Sequence, residues 1–513
     1  MANQRQICPG RVYLVGAGPG DPGLITLRGV ECLGEADEVL YDYLVNPRIL
    51  DHAPSAARRV CLGRHGRDRL LSQDEINRLL IDAAWAGSTV VRLKGGDPAI
   101  FGRLADEAAA LVEAGVPIEI VPGITAVLAA GSYAGIPLTD RQHASAVALV
   151  TGRQSDSEPP SSAELAALAQ FPGTLVFYMG TTTAAEWTSG LIAAGKPADT
   201  PAVIVRRCTW PDQLTIGCTL GTVADEVARR KLRPPAIVVV GEVASAADAA
   251  INWFVRRSLH GVRVLVTRPR GQAVELSSRL ERLGAEVLAQ PAIEILPPDD
   301  WAPVDRALGQ IADYDWLVFS SANGVRMLLD RLEHSGGDLR RLGSVRLAAI
   351  GPGTADALAD YHLRADVQPE EFRAEALAAA LAGEARGRRF LLARASRGRE
   401  VLAEQLRAAG GLVEQVVVYR SEDVRKPDPE VAAALAAGKI DFVTVTSSAI
   451  ARSLAAMFGP GLAKSRLASI SPITSATLRE LGFEAAAEAR QYTLEGVVEA
   501  IVNISPRRVA GGT

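Results

Sequence analysis

Two glycine-rich turns hold the residues best placed for chemistry: Gly16-Ala17-Gly18-Pro19-Gly20-Asp21-Pro22-Gly23 and Lys94-Gly95-Gly96-Asp97-Pro98. Each follows an apolar, strand-type stretch and precedes a helix-type one. Gly16 and Gly18 match the first two glycines of a dinucleotide fingerprint, but the third slot is Asp21. A carboxylate there would repel a pyrophosphate, which needs bare N–H groups at a positive helix end. Pro19 takes a further N–H out of the loop. The turn therefore suits a ligand that needs close backbone approach and brings no phosphate. S-adenosylmethionine (SAM), whose sulfonium is a cation, is such a ligand. In the second turn, Asp97 reads as an N-cap and Pro98 as the first residue of a helix ending near Gly115. The two glycines ahead of that cap mark backbone held close to a ligand.

The elements that position these turns read as an open α/β sheet. Val121-Pro122-Gly123-Ile124-Thr125-Ala126 and Tyr178-Met179-Gly180 are further turns after strand-type stretches. Carboxyl ends of strands are where open α/β sheets bind ligands. Asp42 ends the second strand-type stretch, a place that by itself needs only a turn residue.

Composition narrows the class. A chain of 513 residues, 48% hydrophobic, is long enough for three or four packed domains. No signal peptide and no apolar run long enough to span a bilayer is present, so a cytoplasmic protein away from the membrane is expected. Five cysteines (Cys8, Cys32, Cys61, Cys208 and Cys218) lack metal-ligand spacing; they read as free thiols, and no metal is expected. A net charge of −4 gives no global attraction to nucleic acid. Positive charge is local: Arg64, His65, Arg67 and Arg69; Arg141 and His143; Arg206 and Arg207. Such clusters solvate a surface or, in a cleft, bind a small polyanion.

Beyond a stretch at 245–261, read as a linker, the sequence repeats itself. GVRVLVTRPRGQ from Gly261 resembles GRRFLLARASRG from Gly387, and DWLVFSSANGV from Asp315 resembles DFVTVTSSAIA from Asp441. Both offsets are 126 (387 − 261 and 441 − 315). RLAAIGPGTADAL from Arg346 resembles RLASISPITSATL from Arg466, at 466 − 346 = 120. A duplicated α/β unit accounts for this; a solenoid would have a shorter period. Ser320 and Ser321 thus pair with Thr446 and Ser447, and Thr354 with Thr474. These hydroxyls either cap helices or, with helix N-termini, line a facing cleft that favours carboxylates.

Between Val12 and Phe254 the segments GAGPGDPGLITLRG, VLYDYLV, RLKGGDPAIFGR, VPGITA, SYAGIPLT, LVFYMG and PPAIVVVGEV follow in order. In these the chain resembles the uroporphyrinogen-III C-methyltransferases of the tetrapyrrole methylase superfamily. The resemblance implies an α/β unit over 11–244 with subdomains of about 11–138 and 139–244, a homodimer, and SAM in the cleft between subdomains. It carries SAM contacts onto Pro19, Gly95, Gly96, Asp97, Ile100, Thr125, Ala126, Met179 and the backbone at Cys208, where the family commonly has a smaller residue. It makes Asp42 the proton acceptor. The family's proposed proton donor, a lysine, is replaced by Arg64 in Cys61-Leu62-Gly63-Arg64-His65-Gly66. Arginine is effectively never deprotonated, so Arg64 is expected to clamp a substrate carboxylate, with Arg141, and not to donate a proton.

The segments LVTRPRGQ, VFSSANGV, AIGPGTADAL, VVVYR and TSSAIA, with the Arg394–Arg399 loop, give 262–505 a weaker resemblance to uroporphyrinogen-III synthase. That implies two lobes, about 262–291 with 421–505 and 292–420, joined by two strands, Ala289–Leu296 leaving and Glu414–Arg420 returning. Tyr419 matches the tyrosine beside the family's cleft and equally reads as a core or hinge residue. Ser320, Ser321, Thr354, Thr446, Ser447 and Thr474 would contact substrate. The two resemblances together imply an enzyme that closes hydroxymethylbilane to uroporphyrinogen III, inverting ring D, and methylates that product twice to precorrin-2, towards sirohaem or cobalamin. A methyltransferase for another substrate, or a second half that only delivers substrate, are the rival readings.

Overall fold

Val12 and Leu14 join one apolar cluster with Leu40, Leu80 and Val90, while Tyr13 and Val15 join another with Val39, Val91 and Leu93. Successive residues of a strand point to opposite faces, so a strand apolar on both must be covered on both, as in parallel α/β sheets. The computed structural model describes residues 9–63, 71–153, 160–246, 251–398 and 400–505. It divides the chain into two units: Met1–Val262 with Leu280–Glu286 and Ser505–Thr513, and Arg263–Arg279 with Val287–Ile504.

The first unit holds two five-stranded sheets. Strands β1 (Val12–Gly16), β2 (Glu38–Tyr41), β3 (Arg58–Cys61), β4 (Val90–Lys94) and β5 (Ile118–Val121) form the order β3-β2-β4-β1-β5. All their pairings are parallel, so their carboxyl ends lie along one edge. Strands β6 (Val147–Thr151), β7 (Thr174–Tyr178), β8 (Pro201–Arg206), β9 (Leu214–Thr219) and β10 (Ala236–Val240) form a mixed sheet, β6-β7-β10-β8-β9. Leu175 and Phe177 face one of its clusters and Val176 the other.

The stretch read as a linker is, over its described second half, packed against this unit. Phe254 is 1% exposed and its ring lies 4.8 Å from that of Tyr133. Trp253 donates through Nε1 to Ser132 O at 3.0 Å, and Gly261 N donates to Pro211 O at 3.0 Å. Apolar rings in this segment explain the difference: a solvated tether has none to bury.

The second unit contains β11 (Arg263–Val266), β12 (Glu286–Ala289), β13 (Ile293–Leu296), β14 (Trp316–Phe319), β15 (Arg346–Ala349), β16 (Arg389–Ala395), β17 (Leu412–Asp423), β18 (Phe442–Val445), β19 (Arg466–Ser469) and β20 (Ala485–Glu488). They form two sheets, β12-β11-β18-β19-β20 and β13-β17-β16-β14-β15. The duplication is visible in register. Val264 pairs with Phe442 and Phe390 with Trp316, both parallel, and these are one pair displaced by 126 (390 − 264 and 442 − 316). Each sheet takes strands from both copies. The long β17 runs parallel to β16 and then antiparallel to β13, with Leu296 opposite Arg420 and Ile293 opposite Asp423. The antiparallel connection therefore lies at 420–423, just beyond the Glu414–Arg420 expected.

Candidate active sites

In the first unit three glycine turns converge at the carboxyl edge of the parallel sheet. Gly18 and Gly96 exchange backbone hydrogen bonds, Gly18 N to Gly96 O at 3.1 Å and Gly96 N to Gly18 O at 2.8 Å. A Cβ on Gly16 would sit 2.6 Å from Gly123 Cα, and one on Gly123 would sit 2.3 Å from Gly96 O. No side chain fits at either place. At Gly95 and Gly96 the reverse holds. The nearest atoms to an added Cβ are Leu44 Cβ at 3.6 Å and Thr125 Cα at 3.9 Å, so the protein leaves the space over this turn open. Gly96 also has φ +70°, which disfavours any other residue. The arrangement is a backbone cradle with room for a ligand, and it fits SAM.

Asp97 does not open a helix. Its carboxylate accepts from Ala99 N at 2.7 Å and from Gly123 N at 2.9 Å, tying the second turn to the third. The helix begins only at Leu104 and ends at Glu113. Phe101 (φ +54°) and Arg103 (φ +53°) are left-handed, which breaks the helix that Asp97-Pro98 would otherwise start. Met179, Arg207 and Thr209, in the turns after β7 and β8 of the mixed sheet, are left-handed too, so five of the seven described non-glycine residues with positive φ follow strand ends of this unit. Such backbone costs about 1–3 kcal/mol each and gathers at ligand sites.

Asp21 is consumed structurally: it accepts from Tyr133 Oη at 2.9 Å and Gly23 N at 2.8 Å, while its N–H donates to Thr209 Oγ1 at 2.8 Å. The first turn is thereby fixed to the Arg207–Thr209 turn, next to buried Cys208. Burial pushes the Cys208 thiol up to about 12. Tyr178, at the end of β7, shares a hydrogen bond with Thr125 Oγ1 at 2.8 Å and accepts from Val127 N at 2.9 Å. This joins the two sheets' turns. Pro19, Ile100 and Ala126 are half-buried beside the cradle turns, and Met179 is exposed. Arg141 is exposed on a separate turn, and Arg64 lies outside the described residues.

Asp42 follows β2 beside the end of β4. Arg92 Nη2 donates to its Oδ1 at 2.6 Å, and its Oδ2 lies 3.4 Å from Gly95 N. Behind it Arg92, Lys94 and Glu107 are buried together. The signal available in the sequence was two cations at alternate positions of an apolar strand, which places both on one buried face.

In the second unit Ser321 and Ser447 occupy equivalent places as N-caps, accepting from Gly324 N at 3.1 Å and Ile450 N at 3.2 Å. Ser321 Oγ also shares a hydrogen bond with Tyr419 Oη at 3.0 Å. The Tyr419 ring is buried in the lobe core, so its core role and its polar contact coexist. Ser320 is exposed and Thr446 half-buried. Thr354 (5% exposed) and Thr474 (2%) are set into their helices, because Pro352 and Pro472 start those helices and leave each threonine in the first turn on the sheet side. The lobes touch across their helix starts where Gln272 Nε2 donates to Asn323 Oδ1 at 2.6 Å; within its own lobe Gln272 accepts from Arg268 Nη2 at 3.0 Å.

A SAM-type glycine cradle on one α/β unit and a duplicated two-lobed unit after it define the class, a methylase joined to a second α/β enzyme. Residues 11–224 match the tetrapyrrole (corrin/porphyrin) methylases, and residues 274–499 match uroporphyrinogen-III synthase HemD. The chain is 34% identical over 492 residues to porphyrin biosynthesis protein HemD of Ruminiclostridium josui, covering 95% of each. It is 34% identical over 363 residues to uroporphyrinogen-III C-methyltransferase of Bacillus subtilis, covering 70% of this chain and 74% of that one. It is 47% identical over 250 residues to siroheme synthase of Sodalis glossinidius, covering 49% of this chain and 52% of that one. The chain belongs to the family in which a tetrapyrrole methylase is fused to a uroporphyrinogen-III synthase, and it is a bifunctional enzyme of the tetrapyrrole pathway. Among the described residues no helix is long and apolar enough to cross a membrane.

Proposed function

We propose that the second unit closes hydroxymethylbilane to uroporphyrinogen III with ring D inverted, and that the first unit methylates this product twice to precorrin-2 with SAM. The observation that carries the reading is the cradle at Gly95–Gly96, open to a ligand while every other glycine contact of the edge is filled. Pro19, Gly95, Gly96, Asp97, Ile100, Thr125, Ala126, Met179 and the backbone at Cys208 would hold SAM, which supplies a methyl group on a sulfonium. Asp42 accepts the proton, and Arg64 and Arg141 take substrate carboxylates. The methylase half works as a homodimer. In the second unit Ser321 and Ser447 face the substrate from helix starts and Tyr419 from β17; there the protein's task is to fold a flexible chain and stabilise charge. The test is to incubate the full chain with hydroxymethylbilane, with and without SAM, and identify the porphyrin isomer and its methylation. Type III product without SAM and a dimethylated product with it are expected. Type I product alone, the isomer of unassisted closure, would refute the synthase assignment.

A further inference from the structure

Four charged side chains meet beneath the Gly95–Asp97 turn, and three are shut off from water. Arg92 and Lys94 are each 3% exposed and Glu107 1%. Glu107, on the helix Leu104–Glu113, accepts through Oε1 from Arg92 Nε at 3.2 Å and Gln73 Nε2 at 3.3 Å, and its Oε2 is ion-paired with Lys94 Nζ at 2.7 Å. The far side of the Arg92 guanidinium meets Asp42, Nη2 to Oδ1 at 2.6 Å, while Nη1 donates to Leu93 O at 3.2 Å. Buried ions persist only where each is paired and hydrogen-bonded. Here two cations face two carboxylates. The quartet opens outward at one member: the Asp42 side chain is 32% exposed, with Oδ2 turned toward Gly95 N.

We propose that Arg92, held by Glu107, is the positioning residue that orients the Asp42 carboxylate for proton removal beside the cradle. This rests on the reading of Asp42 as proton acceptor. A planar guanidinium held through Nε by Glu107 aims its Nη2–H at one Asp42 oxygen, a direction that an ammonium, a rotating point charge, does not impose. Glu107 sets the guanidinium plane from one side, and Asp42 takes its angle from the other. Lys94 balances the second charge of the pocket; burial holds its ammonium below the ordinary lysine value. One oxygen of the carboxylate is thus held by Arg92 at 2.6 Å, and the other, turned to the glycine turn, accepts a long bond of 3.4 Å from Gly95 N. A general base displaced by an ångström loses on the order of 10²-fold in rate while binding survives.

The test compares full-length chains carrying Arg92→Gln, Asp42→Asn, and both, assayed for methyl transfer from SAM to uroporphyrinogen III, with SAM affinity measured by calorimetry. Arg92→Gln is expected to lower kcat by about 10²-fold, with SAM affinity and KM held. In the Asp42→Asn background it should cause no further loss, because it acts through that carboxylate. Arg92→Lys should recover only part of the rate. Glu107→Gln, isosteric and not in contact with Asp42, should reproduce the loss and serves if Arg92→Gln does not fold. Losses that multiply in the double variant, or a loss of SAM affinity matching the loss of rate, would overturn the proposal and leave the quartet a structural fill. Full activity of Asp42→Asn would overturn the proton-acceptor reading itself, a different outcome from an inert Arg92→Gln with a damaging Asp42→Asn.

Discussion

The two units present their candidate sites by opposite means. In the first, the site is backbone and buried charge: glycines too crowded to carry a side chain, left-handed turns, and ions paired out of reach of water. In the second, it is hydroxyls at helix starts, a tyrosine bonded to one of them, and an amide pair between lobes. The first is fixed before any ligand arrives. The second depends on how two lobes meet, through the short antiparallel pairing of β13 with β17 and contacts such as that of Gln272 with Asn323. A rigid site suits a reaction that needs one base and one donor in line. A two-lobed one suits a long flexible substrate that must be folded before it reacts.

The largest expected effect lies in the fixed site. Asp42→Asn should reduce methyl transfer by about 10²–10⁴-fold, the usual contribution of a general base, without changing ring closure. Steady-state rates of both reactions on the same preparation check this. In the two-lobed site the effects should be smaller and should fall on KM. Gln272→Ala removes one hydrogen bond between lobes, a net contribution of about 1 kcal/mol. A rise of about fivefold in the KM for hydroxymethylbilane is expected, with kcat held; a fall in kcat alone would mean the pair acts on chemistry and not on closure.

Ser321 and Ser447 sharpen the contrast further, because they are the same position in the two copies. Each caps a helix, so each alanine variant should lose about 1 kcal/mol of stability. Only Ser321 also meets Tyr419, so only Ser321→Ala should slow ring closure beyond its effect on stability. Equal kinetic effects would remove Tyr419 from the account. The last effect is absent at neutral pH and concerns the alkaline range. Burial raises the Cys208 thiol from an ordinary value of 9.0 to about 12. The folded state then holds a proton that the unfolded chain releases, so this contribution is complete below pH 9 and is lost as pH rises toward 12. Cys208→Ala should flatten that alkaline part of the Tm profile.

What was legible in the sequence follows from what each feature demands of the chain. Gly16, Gly96 and Gly123 are visible because no other residue meets the backbone requirement at those places. The duplication is visible because paired strands keep register, as the Val264–Phe442 and Phe390–Trp316 pairs do. Asp97-Pro98 misleads because the signal for a helix start is local, and the left-handed backbone at Phe101 and Arg103 that cancels it is imposed by the fold. Arg92, Lys94 and Glu107 were not legible as a group, since they come from a strand and a helix and only burial brings them together. The packing of Trp253 and Phe254 on Tyr133 was hidden for the same reason.

The central claim is that one chain carries two separable chemistries, of which only one needs the glycine cradle. Gly96→Val tests it most directly, since valine is strained at φ +70° and would fill the open space above the turn. Given hydroxymethylbilane and SAM, the variant should convert the bilane to unmethylated uroporphyrinogen III at the wild-type rate and should no longer bind SAM. Methylated product with intact SAM affinity, or loss of type III product along with methylation in a folded variant, would contradict the account.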